Sequence, residues 1–67
     1  MHEQFVEMAN QIDSLAERVG DLIYDALREE IRSGTDAGGA KELERQLAKV
    51  RRSLTKAEQV LRDLARE

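Results

Sequence analysis

Few side chains in this 67-residue chain could do covalent or metal chemistry, and their placement argues against it. His2 is the single histidine and lies at the amino terminus, and there is no cysteine to act as nucleophile or ligand. General acid–base and nucleophilic catalysis both need a titrating group held beside a second polar group, and a terminal histidine offers no such support. Carboxylates are plentiful, but di-iron bundles use inward Glu residues with Glu-x-x-His pairs on facing helices, and no such pair occurs here. Glu30 comes closest to an inward carboxylate, falling near the middle of an apolar helical arc. Its place at a helix end lets the side chain reach water. The expectation is a non-catalytic chain with no metal site and no cofactor.

What remains is the chemistry of charged surfaces. Lys41, Arg45, Lys49, Arg52 and Lys56 follow one another at steps of four, four, three and four, which aligns them along one side of a helix. Such a row suits a solvated face, an acidic protein surface or a phosphate backbone. Against nucleic acid stand the lack of a neighbouring aromatic residue for stacking on bases and the net charge of −3. Glu17, Asp21, Asp25 and Glu29 form the opposite row at steps of four. Each like-charged pair at that spacing costs ~0.2–0.5 kcal/mol, a cost that solubility or docking of a basic partner would repay.

The elements that carry these rows are two helices. Apolar residues recur at Phe5, Met8, Ile12, Leu15, Val19, Leu22 and Ala26 in alternating steps of three and four, predicting a helix over about 3–32. Glu3 and Glu7 near its start and Arg28 and Arg32 in its last turn complement the helix dipole. Residues 33–39 hold three of the four glycines and read as a turn. Gly34 suits the left-handed residue after a helix end. Thr35, Asp36 or Gly39 could open the second helix, with Gly39 preferred because Glu42 would help to cap it. The second helix, about 40–66, repeats Ala40, Leu43, Leu47, Val50, Leu54, Ala57, Leu61 and Leu64 without a slip. A stripe of period 3.5 is the seam of a coiled coil. The short connection forces the helices antiparallel, so the fold class is all-α, a two-helix hairpin spanning residues 1–67 as one unit.

A hairpin covers each stripe from one side only. Helix 1 carries more apolar surface than one neighbour can cover, since Ala9, Ala16, Ile23 and Leu27 widen its stripe and Val6, Tyr24 and Ile31 continue round the same flank. Short chains without disulfides seldom draw more than ~3–5 kcal/mol from a single core and commonly oligomerise. The simplest closure is a dimer of hairpins forming a four-helix bundle. Residues 1–39 carry three Arg against nine Asp and Glu, net −6, and residues 40–67 carry eight Lys and Arg against five acids, net +3. These opposite fields favour pairing of one half with the other, within a chain or between copies.

The flank of Val6, Tyr24, Leu27 and Ile31 has the character of a protein interface, completing the homodimer core or docking a different protein, because an amphipathic ring can be buried while its hydroxyl stays wet. The seam residues Leu43, Leu47, Val50, Leu54, Leu61 and Leu64 are expected to pack against other helices. With no run of about 18 apolar residues and no basic start leading into an apolar block, the expected setting is the cytoplasm, without membrane contact. The eight Arg against three Lys hint at a GC-rich bacterial or phage source. The function expected is that of an adaptor, inhibitor or regulator acting by protein–protein contact, with a homodimer and a second protein as partners. The alternative is a nucleic-acid-binding arm that uses the cationic row.

Overall fold

The computed structural model describes residues 2–33 and 38–67. Helix α1 spans His2–Ser33 and helix α2 spans Gly38–Arg66. They pack against each other as a thin rod with Cα extents of 50 × 14 × 11 Å. Among the described residues there is no strand, and no helix is long and apolar enough to cross a membrane.

The first helix ends where the Arg28 and Arg32 pattern predicts. The second begins at Gly38, so Gly39 lies inside the helix and is not its cap. Two glycines in succession make the opening turn intrinsically weak, yet the amphipathic stripe behind them carries the helix forward. Gly34, Thr35 and Asp36, offered above as the cap of α1 and the alternative start of α2, lie outside the described residues.

The most buried side chains at the contact between the helices are small. The buried residues are Ala9, Ala16, Val19 and Ala26, three of them alanine, and no large side chain among the described residues is fully buried. Phe5, Ile12 and Ile23 on α1 and Leu47, Leu54 and Leu61 on α2 are half-buried around them. Alanine lets two helices approach closely but removes little apolar surface from water, since burial stabilises by about 25 cal/mol per Å². At Gly20 an added Cβ would lie 3.4 Å from the Arg51 guanidinium carbon.

A hydrogen bond crosses the interface. The Arg62 guanidinium donates to Asn10 Oδ1 at 3.1 Å and to Glu58 Oε2 at 2.9 Å. With Gly20 against Arg51, this link sets the register, placing Met8 level with Leu64, Leu15 with Ala57 and Leu22 with Val50.

Candidate protein interface

The hairpin uses only part of each apolar stripe. Leu47, Leu54 and Leu61, one residue in every seven, turn toward α1, together with the half-buried Glu44, Ala48, Glu58, Arg62 and Ala65. The remaining seam residues, Leu43, Val50, Ala57 and Leu64, are exposed, again seven apart. On α1 the same division holds. Phe5, Ile12, Val19 and Ala26 face α2 along with Ala9, Ala16 and Ile23, while Met8, Leu15 and Leu22 stay outside. The six large residues left out are each 40–53 % exposed.

These two outer rows lie on the same side of the rod. Contacts between the helices identify the other side: the Asn10–Arg62 hydrogen bond, the approach of the Arg51 guanidinium to Gly20, and a shallow groove lined by Val6, Gln59, Arg62, Ala65 and Arg66. At about 100° per residue, Met8, Leu15 and Leu22 project from α1 away from that side, and Leu43, Val50, Ala57 and Leu64 do the same from α2. The register places them in level pairs. One broad face of the rod is therefore apolar across both helices, and Leu43 carries it to the level of Glu29 near the turn.

The flank named from the sequence, Val6, Tyr24, Leu27 and Ile31, falls on the opposite, polar side. All four residues are exposed, Tyr24 at 62 % and Ile31 at 80 %. Their neighbours are charged. The Arg28 guanidinium sits 5.8 Å from the Tyr24 ring centroid, and Glu17, Asp21 and Arg51 line a shallow groove with Gly20 and Tyr24. A second open depression beside the turn joins Ile31 to Asp25, Arg28, Glu29 and Arg32. Glu29 pairs with Arg32 at 2.7 Å. These groups suit a polar contact surface with isolated apolar points.

Lys41, Arg45, Lys49, Arg52 and Lys56 are all exposed on the outer side of α2. Arg45 lies 3.6 Å from Glu42, and the other four have no ion pair among the described residues. Glu30 is half-buried. No group of three His, Cys, Asp or Glu side chains among the described residues could hold a metal ion.

The sequence reading treated each stripe as a single seam and sought the second interface on the widened flank, so it passed over the face built from Met8, Leu15, Leu22 and Ala57. The signal that could have found it is residue size. Alanines at 9, 16 and 26 mark the side where a neighbour comes close, leaving the Leu and Met row outside. Comparison with protein-family models, curated proteins and solved structures finds no match to this chain.

Proposed function

We propose that this chain is a non-catalytic protein–protein interaction module that works by burying its apolar face, first by pairing with a second copy in a four-helix bundle. The observation that carries this reading is the inverted use of side chains. Alanines are the most buried residues inside the hairpin, where Phe5, Ile12, Ile23, Leu47, Leu54 and Leu61 are half-buried, while Met8, Leu15, Leu22, Leu43, Val50 and Leu64 remain half in water. Exposed side by side, such residues favour association. In the bundle, the cationic row of α2 and the flank around Tyr24 stay available to a second protein, giving an adaptor or regulator whose mechanism is surface burial, with charge setting orientation and encounter rate. A cytoplasmic setting fits this reading.

Sedimentation of the chain at micromolar concentration tests it: the expected particle has at least twice the 7.6 kDa chain mass. A lone, cooperatively melting particle of the chain mass would overturn it. For the second partner, changing Tyr24 and Ile31 to Lys is expected to abolish capture while self-association persists.

Lys41, Lys49, Arg52 and Lys56, which have no ion pair among the described residues, favour one other reading, a nucleic-acid-binding arm. It requires binding that weakens steeply as salt rises and that is lost when Arg45, Lys49, Arg52 and Lys56 are reversed to Glu. Failure of the native chain to bind duplex or single-stranded DNA or RNA at low salt would end it.

A further inference from the structure

We infer how the second copy sits, an inference that rests on the self-association proposed above: the two hairpins lie face to face with their turns at the same end, so that α1 of each runs along α2 of the other. The apolar row from Leu43 to Leu64 runs ~32 Å at 1.5 Å per residue on a rod 14 Å wide between Cα atoms, an outline of roughly 450 Å² before side chains widen it, so the ~800 Å² per partner of a standard stable interface draws on the rim of the face as well.

Two-fold symmetry allows two ways of stacking one such face on another. An axis along the rod keeps the turns together and sets α1 over the second copy's α2. An axis across the rod puts the turns at opposite ends and sets α1 over α1. All neighbouring helices are antiparallel in both, so helix direction does not decide between them.

The rim of the face decides. One heptad position beyond the apolar row, α1 carries Gln11, Arg18 and Asp25, and α2 carries Gln46, Ser53 and Val60, all exposed. With the turns together, the register of the hairpin repeats between copies: Gln11 comes level with Val60, Arg18 with Ser53, and Asp25 with Gln46. No like charges meet. The apolar row also fits, since Leu15 meets the small Ala57. With the turns apart, the axis crosses the middle of the face at the level of Arg18, and Arg18 meets Arg18 of the second copy. Like charges facing each other across an interface select against an arrangement. The wider field agrees, because the half that is net −6 then lies along the half that is net +3 instead of along itself.

The chain has no cysteine, so introduced thiols report the arrangement directly, given the short Cβ separation that a disulfide demands. The double variant Gln11→Cys/Val60→Cys is expected to be trapped mostly as a covalent dimer on mild oxidation, whereas Arg18→Cys alone stays largely unlinked. Both substitutions sit on exposed rim positions, and sedimentation of the reduced variants reports whether each still associates. Linking of Arg18→Cys with little linking of the double variant would overturn the arrangement while leaving self-association intact. Linking of neither in variants that still associate would also overturn it, because the pairing would then use another face. A native chain that sediments as a monomer would remove both the arrangement and the reading beneath it.

Discussion

Replacing Leu22 with Gln separates a bare apolar face from a covered one. Leu and Gln have similar helix propensities, so the helix itself is little affected. Leu22 is 53 % exposed in the single hairpin. Since fully burying a leucine stabilises by ~1.5–3 kcal/mol, about half of that, ~1 kcal/mol, is realised inside the hairpin. The other half is gained only when something covers the face, and in a symmetric dimer the loss occurs twice. The association free energy should then weaken by ~2 kcal/mol if both amides reach water at the rim. It should weaken by ~4 kcal/mol or more if each amide is stranded, at ~1–3 kcal/mol for an unsatisfied polar group. At tenfold per 1.4 kcal/mol, the dissociation constant rises between about 30-fold and about 1000-fold. Sedimentation equilibrium measures it, and circular-dichroism melts at several concentrations give an independent reading, because the melting temperature of an associating chain rises with concentration. Tyr24→Gln, on the polar side, is the control and should leave the constant unchanged. Equal constants for the parent and Leu22→Gln, or a parent melting temperature indifferent to concentration, would refute the reasoning.

Two further substitutions probe the alanine-lined contact. Ala16→Leu adds three carbons where Ala16 is only 6 % exposed, so the helices must separate; a loss of ~1–3 kcal/mol from overpacking is expected, seen as a lower midpoint in urea. Gly20→Ala should act in the opposite direction. Its new Cβ would meet only the flexible tip of Arg51 at 3.4 Å, and alanine in a helix interior is favoured over glycine by ~0.5–1 kcal/mol, so the thermal midpoint should rise. A fall would mean that the Arg51 guanidinium cannot move aside.

The two helices and their packing against each other were legible because period and punctuation agree: unbroken steps of three and four on both sides of a glycine-rich segment. The face for assembly was harder to read, since an apolar stripe reports the total arc to be buried and does not divide it between one's own chain and another. Side-chain volume makes that division here. Ala9 and Ala16 look like the fringe of the α1 stripe when weighed by hydrophobicity, yet Ala9 is 0 % exposed because small size admits the neighbouring helix. Charged residues on α2 show the reverse case. Glu44, Glu58 and Arg62 look like surface residues, but all three are half-buried beside α1. Arg62 is accommodated there because its stem can lie along the groove while its guanidinium reaches Asn10 and Glu58.

In the proposed dimer, this division of side chains would couple folding to assembly. Alanine contacts define the geometry of the hairpin closely, because a small side chain leaves little freedom in how near two helices sit, but they contribute little of the free energy that must offset chain entropy at ~1–2 kcal/mol per backbone residue. The residues able to contribute more, Leu15, Leu22, Leu43, Val50 and Leu64, gain the rest of their burial only in a larger assembly. A hairpin built this way is a shape in search of a neighbour: its own contact sets the register, and that register brings Leu15 level with Ala57 and Leu22 level with Val50 on one flat face. Strengthening the inner contact, as Gly20→Ala should do, would therefore be expected to tighten self-association as well, since a hairpin already in register loses less entropy on pairing.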